Sequence, residues 1–177
     1  MLRVIKTNEF DVIIDLMYSK NTNVFGKALY PQFSECKLHT DAAICLQRAS
    51  KLLKPLGLKI KIFDAYRPQS IQKQMWEMIP NGKYLADPKI GSNHSRGVAL
   101  DISLIDANQC ELSFGTAIDE MDVKSHHFNL EVDQESYHNR LTLLSIMVGA
   151  GFKYINNEWW HYELPNSKEY PLLDDSL

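Results

Sequence analysis

A chain of 177 residues with 45% hydrophobic and 23% charged side chains has the balance of a globular domain able to bury a core of its own. A net charge of -3 without a basic patch argues against nucleic acid as a partner, and no run of about 20 apolar residues is present to span a membrane. Cys36, Cys45 and Cys110 are an odd set without CxxC spacing, which speaks against a disulfide framework and against a thiolate metal site. Near the N-terminus, Glu9 arrives before any apolar stretch of useful length, so residues 1–9 do not read as a secretory signal. The expected location is cytoplasmic, with the periplasm as the alternative if a signal has been removed.

In chain order, residues 12–16 form a short β-branched run that predicts a strand, followed by a polar loop over 19–23. Thr40 is placed to cap a helix running to about Lys54. Ala42, Ala43, Leu46, Ala49, Leu52 and Leu53 recur there at helical spacing, with Cys45 on the same apolar face and Gly57 closing the segment. Leu58, Ile60 and Ile62 alternate with Lys59 and Lys61, which predicts a half-buried strand ending over 64–67, where Pro68 stops it. Residues 69–79 read as a helix with Ile71, Met75, Trp76 and Ile79 on one face, broken by Asn81 and Gly82.

Residues 98–105 predict a second core strand, with Val98, Leu100, Ile102 and Leu104 on one side and Asp101 on the other. Residues 106–124 read mostly as loop, and 136–150 as an amphipathic helix closed by Gly151. Residues 152–154 and 159–163 then predict a hairpin turning at Asn156 and Asn157, before a tail rich in Pro, Ser and Asp. His39 and His138 are both expected on helices, without a role. Helices mixed with hairpin-linked strands, lacking regular βαβ alternation, predict an α+β fold: an antiparallel sheet covered by helices, in one domain over residues 1–177.

Two segments carry chemistry. His94 precedes the turn at Gly97, and Asp101 follows seven residues on, inside a strand. Far away in sequence, Glu158 and His161 bracket two tryptophans. Two histidines and one carboxylate on neighbouring strands give three protein ligands at fixed separation, with a fourth position left for water. Glu158 is then spare to take a proton from that water. The set suits one catalytic zinc ion, without excluding other divalent metals. His126 and His127 are read as supporting or packing residues, because three ligands already complete a catalytic site.

At these residues the chain resembles a known group. Ser92, His94, Gly97, Ala99 and Asp101, followed by Glu158, Trp160 and His161, resemble the zinc D-Ala-D-Ala peptidases, whose metal site is shared with the hedgehog signalling domain. Asp64, Ala65, Tyr66, Arg67 and Pro68 look like the arginine segment of the group. Tyr18, Asn23, Phe25 and Gly26, together with Phe114, Gly115, Asp119, Met121, Ser125, His126 and His127, are similar to blocks of its dipeptidase branch, the vancomycin-resistance (VanX) type. The match spans roughly residues 10 to 165. It departs at Ile118, where phenylalanine is usual, and at Val24, one residue more than usual between Asn23 and Phe25.

The resemblance implies a zinc dipeptidase that hydrolyses free D-Ala-D-Ala. It assigns zinc to His94, Asp101 and His161, the general base to Glu158, and stabilisation of the oxyanion to Arg67. Asp119 with Tyr18 would hold the substrate ammonium, and Ser92 and Ser95 the peptide or its carboxylate, with Tyr30 a further candidate at the carboxylate end. Rival readings are a D,D-carboxypeptidase or L-Ala-D-Glu endopeptidase acting on peptidoglycan peptides, and a zinc-stabilised binding module without catalysis. The resemblance leaves open whether the reaction serves glycopeptide resistance or recycling of D-alanine, and it says nothing of oligomeric state.

Overall fold

The computed structural model describes residues 1–31, 34–80 and 82–175. The elements are β1 (Leu2–Val4), α1 (Thr7–Phe10), β2 (Ile13–Ile14), β3 (Lys37–His39), α2 (Thr40–Leu53), β4 (Lys59–Asp64), α3 (Gln69–Met78), β5 (Ala99–Ile105), α4 (Gln134–Ala150), β6 (Lys153–Ile155) and β7 (Glu158–Glu163). Five strands form one sheet in the order β2-β4-β5-β7-β6, while β1 and β3 pair separately as an antiparallel ribbon. The fold is α+β, as the absence of regular βαβ alternation predicts. The main sheet is antiparallel except at its edge, where β2 runs parallel to β4 over two residues.

The centre of the sheet follows from its sequence. β5 is buried at all seven positions. Leu100, Ile102 and Leu104 join the hydrophobic core with Ile60 and Ile62 of β4, all five fully buried. α2 packs on α4 and on β4, and α4 reaches β6 and β7, so Ala42, Ala43, Leu46, Ala49 and Leu53 meet Leu143 and Met147 in the same core. Alternation along β5 then sends Ala99, Asp101, Ser103 and Ile105 to the other face. Polar Asp101 and Ser103 are buried there too and need partners; Ser103 donates to Glu111 Oε1 at 2.8 Å.

Several boundaries differ from the sequence reading. The strand expected over 12–16 shortens to two residues. The β1–β3 ribbon carries no alternation long enough to be read. His39 ends β3 rather than lying on a helix, and its Nδ1 accepts the Asp41 N–H, so His39 and not Thr40 caps α2. α4 starts two residues early because Asp133 caps it, accepting the Ser136 N–H at 2.9 Å. Asn81, expected to break α3 together with Gly82, lies outside the described residues, as do the last two residues of the tail. Among the described residues no helix is long and apolar enough to cross a membrane.

One glycine is required where the ribbon docks. Gly97 has φ +71°, and a Cβ there would fall 2.7 Å from Leu2 Cδ2 and 3.2 Å from the His39 nitrogen. The Gly97 carbonyl accepts the His39 N–H at 2.7 Å, tying β3 to the turn that carries His94.

Candidate metal centre

Three central strands place a row of polar residues side by side. Asp101 of β5 lies directly opposite His161 of β7 and opposite Asp64 of β4. A bulge between Ile62 and Asp64 produces the second pairing. Without that extra residue Phe63 would face Asp101, so the bulge re-aims a carboxylate into the row. His94 comes from a short 3₁₀ turn, His94–Arg96, just before β5. Its carbonyl accepts the Arg67 N–H at 3.2 Å, which joins the two loops at the C-terminal end of β4 and the start of β5.

His94, Asp101 and His161 are all buried and converge so that one ligand atom from each lies within 4.8 Å of the others. His94 Nε2 is 3.2 Å from His161 Nδ1 and 3.3 Å from Asp101 Oδ2, and His161 Nδ1 is 3.1 Å from Asp101 Oδ1. The outer nitrogens decide the tautomers. His94 Nδ1 donates to the Ala65 carbonyl at 2.8 Å, and His161 Nε2 donates to Glu163 Oε2 at 3.0 Å. Two imidazole lone pairs and a carboxylate are thereby aimed at one point, an arrangement that is repulsive unless a positive charge sits between them.

The surroundings favour positive charge at that point. Burial opposes it, but the bonds to Asp101 and Glu163 push His161 up to about 10. Burial likewise raises Asp101, yet the two facing histidines outweigh it and hold the carboxyl far below the usual carboxylate range. The donor set therefore fits a divalent cation with two nitrogen ligands and one oxygen ligand.

Glu158 opens β7, with Oε2 3.9 Å from His161 Nδ1, close to the triad without belonging to it. Burial pushes its carboxyl up to about 8, and Asp101 and Asp119 act in the same direction against His161 and Arg67.

Arg67 is buried and gripped at three nitrogens. Nε and Nη2 donate to Asp64 Oδ2 at 2.9 and 2.7 Å, and Nη1 donates to Gln72 Oε1 at 2.8 Å. Burial disfavours its charge, but Asp64 and the neighbouring acidic groups dominate and keep it firmly cationic. Tyr30, expected among the substrate contacts, does not line the cavity; its hydroxyl donates to Asp64 Oδ1 behind Arg67.

These groups line a cavity of about 220 Å³. Tyr18, Asp119, Ser92, Arg67, Glu158 and the three triad residues all face it. At one wall the Tyr18 hydroxyl donates to Asp119 Oδ2 at 2.7 Å. Burial and the nearby Asp101 raise the Asp119 carboxyl to about 6. Burial, with Asp119 beside it, raises Tyr18 well above the usual phenol range, so Tyr18 stays a donor. Asp119 also holds φ +62°, a left-handed conformation uncommon for a residue with a side chain. Ser92 Oγ accepts the His94 N–H at 3.2 Å. Ser95, expected beside Ser92, is fully buried on the far side of the turn and does not reach this cavity.

Four residues to which the sequence assigned no role hold the site together. Asp64 seats Arg67, and Gln72 bonds its far end. Glu163 orients His161 and also accepts from Asn93 at 2.6 Å; its position two residues after His161 on a strand is the signal that could have found it. Arg140 of α4 is fully buried and donates to the carbonyls of Phe114, Lys124 and His126 at 2.7 to 2.8 Å, pinning the loop that bears Asp119. The amphipathic pattern expected for α4 is not kept, since Ser136, Asn139 and Arg140 are buried while Leu141 and Val148 are exposed, so no apolar period marks Arg140 as an inward residue. His127 packs edge-on against Tyr154 and Tyr162, and burial lowers it to about 3, so it is a neutral packing residue.

The family described as D-Ala-D-Ala dipeptidase (Peptidase_M15) matches residues 3–176. The chain is 43% identical to a D-alanyl-D-alanine dipeptidase of Escherichia coli K12 over 167 residues, covering 94% of this chain and 86% of that one. It is 33% identical to a D-alanyl-D-alanine dipeptidase of Streptomyces coelicolor, over 90% of this chain and 88% of the relative. A third, from Enterococcus faecium, is 32% identical over 74% of each. Among solved structures, a vancomycin-resistance D,D-pentapeptidase (VanY) mutant in complex with Zn(II) aligns with a TM-score of 0.48 and 15% identity, over 78% of this chain and 79% of that one. With the family matching nearly its full length, the chain belongs to the Peptidase_M15 D-Ala-D-Ala dipeptidases, a family of hydrolytic enzymes.

Proposed function

We propose that the chain is a zinc-dependent dipeptidase, one domain over residues 1–177, that hydrolyses free D-Ala-D-Ala to two molecules of D-alanine. The observation that carries this reading is the buried His94, Asp101 and His161 cluster, with Glu158 beside it and a Tyr18–Asp119 wall across a small cavity. The relatives named D-alanyl-D-alanine dipeptidase support the substrate.

His94, Asp101 and His161 would hold the zinc, which when bound supplies Lewis-acid chemistry that polarises a carbonyl and acidifies water. Glu158 takes a proton from the attacking water as its oxygen adds to the scissile carbonyl carbon. It then gives that proton to the amine as the C–N bond breaks. A carboxyl raised by burial towards neutral pH suits both transfers. Arg67 keeps two N–H bonds beyond those to Asp64 and Gln72, and from the cavity wall these meet the carbonyl oxygen as negative charge develops. Asp119, held by Tyr18, pairs with the substrate ammonium, and the Ser92 hydroxyl meets the carboxylate end.

The test is release of D-alanine from D-Ala-D-Ala by the zinc-loaded protein, with L-Ala-L-Ala and a D-Ala-D-Ala-terminated pentapeptide alongside. Turnover of the D,D-dipeptide alone is expected. Cleavage of the pentapeptide would move the activity to a carboxypeptidase or endopeptidase on peptidoglycan peptides. Turnover of neither substrate with zinc bound would leave a binding module.

A further inference from the structure

Gln72 lies in the first turns of α3 and is 1% exposed, yet both ends of its amide are used. Its Oε1 accepts from Arg67 Nη1 at 2.8 Å, and its Nε2 donates to the Ala86 carbonyl at 2.7 Å. The two partners fix the orientation of the amide, since a guanidinium can only donate and a carbonyl can only accept. The bonds from Arg67 Nε and Nη2 converge on a single oxygen of Asp64. A planar group held at one acceptor can still pivot about it, and the bond from Nη1 to Gln72, at the opposite end of the guanidinium, removes that freedom. Ala86 closes the segment 82–86, every residue of which lines the cavity. Across the cavity the same segment is held by the turn between β6 and β7, where Asn157 Nδ2 donates to the Lys83 carbonyl at 2.8 Å.

We infer that Gln72 is a positioning residue for hydrolysis: one buried amide sets the orientation of the Arg67 guanidinium and the seat of the 82–86 wall, so that the oxyanion donor and the cavity wall are held as a unit. Glutamine is the residue this requires. Glutamate of the same length accepts from Arg67 but, when ionised, has no proton for Ala86, and methionine fills the volume while offering neither bond. The inference rests on the dipeptidase reading for its effect on turnover, and on the structure alone for its effect on the wall.

The experiment compares wild type, Gln72→Met and Gln72→Glu as full-length zinc-loaded proteins. It measures kcat and KM on D-Ala-D-Ala, zinc content, and the rate of tryptic cleavage after Lys83, an exposed residue within the segment. Gln72→Met is expected to lower kcat about tenfold or more at wild-type zinc content, with KM changing less, and to speed cleavage after Lys83 at least about fivefold. Gln72→Glu, which restores the acceptor, is expected to recover kcat to within about threefold of wild type while cleavage stays fast. A Gln72→Met protein with kcat within twofold of wild type, or with unchanged cleavage, would overturn the inference. If Gln72→Met does not fold, the near-isosteric Gln72→Glu decides, because unchanged cleavage there removes the tie to the wall. Should wild type itself not turn over D-Ala-D-Ala, the dipeptidase reading falls, and the cleavage rates alone decide whether Gln72 holds the wall.

Discussion

Glu158 and His161 are three residues apart on one strand, yet only His161 belongs to the triad. Glu158 approaches the triad at 3.9 Å without completing it. Glu158→Ala should therefore retain bound zinc while kcat falls by about 10²–10⁴, the range typical of a lost general base. Metal analysis beside steady-state kinetics checks both, and near-normal turnover would remove Glu158 from the proton transfer. The same inactive variant isolates Asp119. Its carboxyl is raised to about 6, so it loses charge as pH falls through that value, and a neutral acid cannot pair with an ammonium. Dipeptide binding by the zinc-loaded Glu158→Ala protein should weaken as pH drops from 7 to 5, read by calorimetry. Adding Asp119→Asn should give weak binding across the whole window, without that dependence.

At the scale of elements, the site is held by side chains that reach out of helices into loops. Arg140 belongs to α4, yet its bonds go to Phe114, Lys124 and His126 on the loop that bears Asp119. Each bond from a charged donor contributes about 1.5–3 kcal/mol, and buried carbonyls left without a donor add to the loss. Arg140→Met should cost about 3 kcal/mol or more in denaturant unfolding and raise KM by loosening Asp119; a change below about 1 kcal/mol would show that the loop is held otherwise. α3 is capped from a distance. Both Asp175 carboxylate oxygens accept N–H groups of its first residues, from Gln69 at 2.6 Å and Ser70 at 2.9 Å. The tail is fastened further by Leu173 N–H to the Ser95 carbonyl and by Tyr66 Oη to the Asp174 carbonyl. Asp175→Ala should remove about 1 kcal/mol, the usual worth of an N-cap, visible as a lower unfolding midpoint.

For the whole molecule, the triad joins the two halves of the chain. His94 and Asp101 come from the middle, and His161 from the last hairpin, 60 residues beyond its cross-strand partner Asp101. A cation bound there belongs to the folded state alone and stabilises it by mass action, about 2.7 kcal/mol at a free concentration 100 times Kd. For a chain of this size that corresponds to about 2–4 °C in Tm per kcal/mol. Chelation should lower Tm by several degrees and zinc should restore it. An unchanged Tm, with no zinc bound before chelation, would remove the metal from the site.

Much of this was legible from sequence because it depends on local period. Alternation along residues 98–105 puts Asp101 opposite the apolar face, and the hairpin at Asn156 and Asn157 brings His161 onto a strand; both hold in the fold, where the strand also takes in Glu158, one residue before its expected start. Side-chain chemistry likewise limited the site to two imidazoles and two carboxylates. Tertiary structure decided what local period does not carry. A bulge, and not the alternation of β4, turns Asp64 into the row with Asp101. Tyr30 and Ser95, close in type and position to true cavity residues, face away, because a short loop or a single turn gives no period from which a direction can be read. Gln72 and Arg140 look in the sequence like ordinary polar positions of helices, and their roles exist only through bonds to segments 5–26 residues away. Residue type and local spacing were enough to pick out the groups able to do the chemistry. Which of them meet, and what holds them there, was set by long-range packing, since a hydrogen bond between distant segments leaves no pattern in either one.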